Sequence, residues 1–222
     1  MPKKTTKERR QRVVLTPDEI KSFIEGCDGK VLLYSMMYLF MGMRNMEICK
    51  VRWDEIDLET KALKINKFSN RRRKERVIPI NGYVLSLLKE AFKTKKNDYV
   101  FPSAISTGLK QHIDPSGGIR KQWAVAIKNS GIKRHITPHD LRATFETFMH
   151  TNKNFTDTQR EKMAGASIDV QKNICVTMDV EHLRGLEKSV VVSGFDKIIR
   201  ENKENAVAKI APSKRNNKGL LK

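Results

Sequence analysis

The chain centres on Ile136-Thr137-Pro138-His139-Asp140-Leu141-Arg142-Ala143-Thr144-Phe145. Thr137 is a good N-cap, and Pro138 suits the first helical position, where its missing N–H costs nothing. Asp140 places a negative charge on the first turn, where the helix dipole favours it. A helix is therefore expected to start here. His139 and Arg142 are three apart and share one face of its first turn. Leu141, Phe145, Phe148 and Met149 form the apolar stripe that anchors it. An imidazole and a guanidinium at a helix N-terminus make an anion site with two added donors. The bland alternative is a buried histidine and a surface arginine on an ordinary helix. An isolated H-x-x-R is short and common, so the rest of the chain must decide.

The chain has 222 residues and a formal net charge of +19, a surplus that calls for an anionic partner. Nucleic acid is the default and an anionic membrane the runner-up. Phosphate is then the anion to expect at His139 and Arg142. No apolar run is long enough to span a bilayer: the longest, residues 31–43, is broken by Ser35 and Gly42 and reads as a core helix. Residues 1–12 are basic without an apolar core, so no secretory signal is read there. Cys27, Cys49 and Cys175 are scattered without a C-x-x-C, which argues against a disulfide framework and against structural zinc, and fits a reducing, intracellular setting. No metal and no cofactor is expected.

In chain order, residues 1–13 read as a basic disordered arm. Thr16-Pro17-Asp18-Glu19 is a capping box, so a helix starts at Pro17, with Ile20, Phe23 and Ile24 inward, and ends at Asp28-Gly29. Lys30–Met41 is nearly all apolar and is expected to be a central helix. Gly42 interrupts it, and Met43–Ile48 adds a turn or two with Arg44 and Glu47 on one face. Ala62–Lys67 alternates with period two and reads as a strand, as does Arg76–Ile80, where Pro79 marks an edge or an end. Between them Arg71, Arg72, Arg73 and Lys74 crowd positive charge onto a turn, read either as a solvated loop or as a phosphate-contacting hairpin tip. Amphipathic helices follow over Tyr83–Lys93 and, around Trp123, Ala126 and Ile127, over Ile119–Ser130, which Gly131 stops. Residues 103–118, rich in Ser, Gly and Pro, read as a loop. Beyond the His139 helix, a second capping box at Thr156 opens a short helix ending at Ala164-Gly165. Further helices are expected around 167–175, 180–188 and 190–201. Residues 202–222 read as a basic disordered tail. The fold class is mainly α with a small antiparallel β-sheet, one domain over residues 14–201.

These elements resemble the catalytic domain of the tyrosine recombinases, the phage-type integrases. The family's first motif, an apolar helix followed by Gly-x-Arg-x-x-Glu, is matched by Leu39–Met41 and Gly42-Met43-Arg44-Asn45-Met46-Glu47, followed by Trp53-Asp54-Glu55-Ile56-Asp57. Its second, a hairpin bearing a lysine and ending in an Arg-x-x-Pro-like strand, is matched by Ile65-Asn66-Lys67 and Arg76-Val77-Ile78-Pro79-Ile80. Its third, Thr-Pro-His-x-Leu-Arg before a helix, is matched position by position at Thr137–Arg142. The family then has a Gly-His-Ser motif and, nine residues after its histidine, a nucleophilic tyrosine. Here Met163-Ala164-Gly165-Ala166-Ser167 puts Ala166 at the second histidine position, and 166 + 9 = 175 puts Cys175 at the nucleophile position. No tyrosine occurs after Tyr99.

What the resemblance implies is specific. A tyrosine oxygen attacks a DNA phosphate, leaving a 3′-phosphotyrosyl link, and the freed 5′-hydroxyl then attacks a second strand. Arg44 and Arg142 would bind the non-bridging oxygens, a task suited to a bidentate, permanently charged fork. Lys67, with Lys64 and Lys74 as rivals, would protonate the leaving oxygen. His139 would donate to the phosphate, and Glu47 would hold a neighbouring basic side chain. Cys175 has three readings: a buried small hydrophobe, a substitute nucleophile, or a substitution in a copy of a Tyr-bearing parent. The expected function is site-specific DNA recombination or integration for a mobile element or virus, on duplex DNA, with self-association to a dimer or tetramer and with cleavage impaired. The alternative is a catalytically inactive architectural or regulatory DNA-binding protein on the same fold. An RNA-binding or ribosome-associated protein would explain the charge but not three ordered motifs. The family usually carries a helical DNA-clamping domain ahead of this one, so a fragment lacking that domain is one expectation.

Overall fold

The computed structural model describes residues 11–69, 75–103, 111–151 and 156–165. Outside them lie the basic arm up to residue 10, the hairpin-tip cations Arg71, Arg72, Arg73 and Lys74, the positions Ala166 and Cys175, the helices expected beyond 166, and the tail over 202–222.

Helix α1 (Pro17–Gly26) starts on the capping box: Thr16 Oγ1 accepts from Glu19 N at 3.2 Å and Glu19 Oε2 accepts from Thr16 N at 2.8 Å. Helix α2 (Gly29–Met41) lacks a side-chain cap at Asp28 and is stabilised by burial instead. Leu32, Met36, Met37 and Tyr38 are shut from solvent and lie on several sides of the helix, at roughly 1.5–3 kcal/mol for each buried apolar side chain. It packs against α6 (Pro138–Thr151), α4 (Gly82–Lys93) and α5 (Arg120–Ser130), while α1 packs on α5. A short helix α3 (Asn45–Cys49) follows α2.

The sheet has three antiparallel strands in the order β1 (Ile56–Asp57), β2 (Ala62–Ile65), β3 (Arg76–Pro79). The sequence reading found β2 and β3 and missed β1. Two residues are too few to show a period, and β1 exists through its pairing of Ile56 with Leu63 and Asp57 with Ala62. Strand β2 also ends earlier than expected, at Ile65, and Lys67 opens a 3₁₀ turn, Lys67–Ser69. Leu63, Ile65 and Ile78 face the core, while the paired Lys64 and Val77 face out. Pro79 closes the edge strand, where a missing N–H breaks no ladder. Helix α7 (Asp157–Ala164) packs against both β3 and α6 and carries a capping box at Thr156.

Helix α6 starts at Pro138, as expected, with Thr137 ahead of it. Asp140 reaches back to Thr137, which donates from both N and Oγ1 to Asp140 Oδ2, each at 2.7 Å. Asp140, fully buried, also accepts from Val13 N at 3.0 Å, and Leu15 N donates to Thr144 Oγ1 at 3.0 Å. Residues 13–15 are thereby strapped across the first turns of α6, with Arg134 reaching Val14 O at 2.8 Å and the Glu19 carboxylate at 2.6 Å.

Candidate active site

The site is assembled from three chain turns: the end of α2, the start of α6 and the end of α7. Gly42 ends α2 in the left-handed conformation (φ 59°). A Cβ there would also lie 2.2 Å from the Phe145 ring, so both backbone and packing require glycine. The Gly42 carbonyl accepts from Arg142 Nη1, which ties the α2 turn to α6. Two residues on, Arg44 precedes α3 in extended conformation, and its N–H donates to Glu47 Oε2 at 2.8 Å.

The two arginines meet at the C-terminus of α7. Arg44 Nη2 donates to the Gly165 carbonyl at 2.7 Å, and Arg142 Nη2 donates to the Ala164 carbonyl at 2.8 Å. Consecutive carbonyls at a helix C-terminus, otherwise short of donors, thus hold two guanidinium groups side by side. Gly165 is left-handed (φ 62°), and a Cβ on it would stand 2.7 Å from Arg76 Nη1 and 3.1 Å from Arg44 Nη1. The arginines are not equivalent. Arg44 keeps 31% of its side chain exposed. Arg142 keeps 8% and pairs one helical turn on with Glu146, itself 2% exposed, at 2.6 Å.

Glu47 is the buried counter-ion of the cluster. Its carboxylate is 1% exposed and accepts from Arg76 Nη1 at 2.7 Å, Arg76 Nη2 at 2.9 Å and Arg44 Nη1 at 3.3 Å. Burial alone would raise its pKa. The Arg76 hydrogen bonds and charge, with the Arg44 contacts, outweigh that and hold it below the ordinary carboxylate value. Burial and then the like charge of Arg142 lower the Arg44 pKa.

His139 sits edge-on to Tyr38, ring centroids 6.1 Å apart. Burial first, then the positive charges of Arg12 and Arg142, lower its pKa, with Asp140 opposing, so the neutral imidazole is favoured at neutral pH. Beneath it, Tyr34 donates to Asn45 Oδ1 at 2.6 Å and Cys49 Sγ lies 3.2 Å from the same oxygen. The Cys49 thiol is pushed up to about 12 by burial, which leaves it protonated and inert.

Of the residues singled out in the sequence, the structure brings Arg44 and Arg142 together and sets His139 within reach of the Arg142 charge. It does not join Lys67 to them by a hydrogen bond: its ammonium lies over the Phe68 ring, 5.2 Å from the centroid. The rival Lys64 pairs with Glu75 at 3.6 Å. All four tyrosines of the chain lie among the described residues. Tyr34, Tyr38 and Tyr83 are buried, with burial raising each hydroxyl's pKa, and Tyr99 meets His112 edge-on. None is presented as a nucleophile beside the arginines. Sequence reasoning missed Arg76 and Glu146 as partners of the cluster. The Arg142-x-x-x-Glu146 spacing was a usable signal, since residues four apart share a helix face.

The sequence that carries Gly42-Met43-Arg44, Glu47 and Thr137–Arg142 matches a known family profile. The Phage integrase family profile covers residues 13–160. This chain belongs to the phage integrase family. Among its relatives are tyrosine recombinase XerC of Xylella fastidiosa (strain M23), 25% identical over 185 residues, 77% of this chain and 58% of the relative, and tyrosine recombinase XerA of Pyrococcus horikoshii, 26% identical over 80% of this chain and 61% of the relative. The family member described here therefore spans less than two thirds of the length of these relatives. Similar folds include the crystal structure of XerA recombinase (TM-score 0.66, 21% identity, 85% of this chain and 67% of the other) and a lambda integrase dimer bound to a COC′ core site (TM-score 0.57, 19% identity, 77% and 61%). No helix among the described residues is long and apolar enough to cross a membrane.

Proposed function

We propose that this chain binds duplex DNA as the catalytic-domain part of a tyrosine recombinase, and that Cys175 and Ala166 leave strand cleavage impaired. The observation that carries the reading is the pair of guanidinium groups fixed by consecutive carbonyls, Arg44 on Gly165 and Arg142 on Ala164. Fixed donors converging on one point suit a phosphodiester, whose developing charge they stabilise without reorganising. Arg44 offers the solvent-facing contact: two of its nitrogens are engaged and the fork carries five N–H donors. Arg142 backs it with charge, and His139 supplies a neutral imidazole that gains a proton as an anion approaches. Lys67 is the candidate acid for the leaving oxygen, brought in by movement of the hairpin. Arg71, Arg72, Arg73 and Lys74 are the candidate backbone contacts at the hairpin tip. Self-association on DNA, inside the cell, completes the proposal, consistent with the lambda integrase dimer seen on its core site. Its biological setting is recombination or integration of a mobile element.

A second reading has its own support. Arg142 is 8% exposed, with donors committed to Gly42, Ala164 and Glu146, as suits a scaffold that binds DNA without cutting it. A suicide DNA substrate on a denaturing gel separates the two. The parent chain should form no covalent adduct. Cys175→Tyr with Ala166→His should form one, because the transition-state groups would regain a nucleophile. An adduct with the parent would overturn the assignment of Cys175 as inert. No adduct with the double variant would favour the scaffold.

A further inference from the structure

We propose that Arg76 is a positioning residue for the anion site: it takes up both oxygens of Glu47 and so keeps that carboxylate from neutralising Arg44. The inference rests on Arg44 being a phosphate contact. Glu47 lies one helical turn from Arg44 and is the buried carboxylate nearest its guanidinium. Left alone with it, a buried carboxylate would form a two-point pair, since an unpaired buried charge is strongly unfavourable. Such a pair would occupy the Arg44 donors and cancel the charge that attracts an anion.

The geometry shows that this does not happen. Arg76 meets Glu47 through both terminal nitrogens, at 2.7 and 2.9 Å, while the Arg44 side chain makes one longer contact at 3.3 Å. Arg76 is 11% exposed and Arg44 31%. The inner arginine is thus the main counter-ion of Glu47, and the outer one is the less fully paired and more exposed cation. Gly165 keeps both in place, because any side chain on it would collide with Arg76 and crowd Arg44. Arg76 also begins β3, directly after the hairpin tip, so the same pair anchors the hairpin to the start of α3. The fork geometry is one that Lys cannot reproduce.

The test is duplex affinity by fluorescence anisotropy for the full chain and the variants Arg44→Ala, Arg76→Gln, Glu47→Gln and Arg76→Gln/Glu47→Gln, with melting curves to confirm folding. Arg44→Ala sets the scale. Arg76→Gln should weaken binding about tenfold, the change made by ~1.4 kcal/mol, because Glu47 then captures Arg44. Adding Glu47→Gln should restore most of that affinity; the discriminating variant is Glu47→Gln alone, which a purely structural role for the pair predicts to bind more weakly, because Arg76 is left uncompensated. Glu47→Gln alone should bind at least as tightly as the parent, which keeps the proposal testable if Arg76→Gln does not fold. An Arg76→Gln defect that Glu47→Gln fails to restore, or Glu47→Gln alone binding more weakly than the parent, would overturn the positioning role. Unchanged affinity in Arg44→Ala would instead remove the phosphate-contact reading itself, and this inference with it.

Discussion

Replacing Arg142 by Ala is the obvious test of the anion site, and its main effect should be on folding. Arg142 is 8% exposed and its partner Glu146 is 2% exposed, with 2.6 Å between their atoms. Removing one partner of a buried pair leaves an uncompensated charge, at about 3–5 kcal/mol. Two carbonyls, Gly42 O and Ala164 O, lose a donor at the same time, at about 1–3 kcal/mol for any acceptor that water does not reach. Against a typical stability of about 5–15 kcal/mol, Arg142→Ala should leave a marginal protein. Arg142→Ala/Glu146→Gln should recover the larger part, because no buried charge remains. The assay is urea unfolding monitored by tryptophan fluorescence, with DNA affinity measured only at temperatures where both variants are folded. A destabilisation below about 1 kcal/mol in Arg142→Ala, within the range of an exposed pair, would refute the picture of a buried ion pair. Equal destabilisation in the single and double variants would refute Glu146 as the source.

Gly42→Ala should cost about 2–5 kcal/mol, combining left-handed strain with displacement of the buried Phe145 ring, and a midpoint within error of the parent would refute it. Duplex binding should tighten as pH falls from about 8 to 6, since an anion favours protonation of an imidazole whose ordinary value is near 6.5. His139→Gln should flatten that profile, and an unchanged profile would remove His139 from the site. Folding stability should move the opposite way. The folded His139 pKa is depressed, so its contribution is complete above the unfolded value near 6.5 and is lost as pH falls through the folded one. Replacing Arg71, Arg72, Arg73 and Lys74 with Ala should reduce the salt slope of log affinity by roughly 0.9 for each phosphate no longer neutralised, and an unchanged slope would place the DNA elsewhere.

Local signals carried most of the fold. The capping boxes at Thr16 and Thr156, the left-handed glycines 42 and 165 and the apolar run of α2 each announce themselves within a few residues, and the helices they predict are present. The third strand was illegible because Ile56–Asp57 is defined only by its partner. Phe92, apolar and on the last turn of α4, stays 39% exposed against Trp53. In the site, spacing paired His139 with Arg142, and the family resemblance added Arg44. The settings of the two arginines could not be read, because backbone carbonyls have no sequence signature and the Arg76–Glu47 fork joins residues 29 apart. Nor could spacing show that one arginine is half-sheltered and the other nearly closed off.

Under the proposed function, that difference bears on how the site can lack its nucleophile and still hold its arginines. Among the described residues, every group that holds the two arginines is either a backbone carbonyl, from Gly42, Ala164 and Gly165, or a carboxylate, Glu47 or Glu146. The side-chain requirement at the α7 end is that Gly165 have none, and glycine is there. Under the proposed reading, Ala166 and Cys175 in place of a histidine and a tyrosine take away reacting atoms and leave these supports of the arginines in place. A site built in this way would keep its anion affinity after losing its chemistry. It would also need only reacting side chains, and no repacking of the arginine cluster, to regain it.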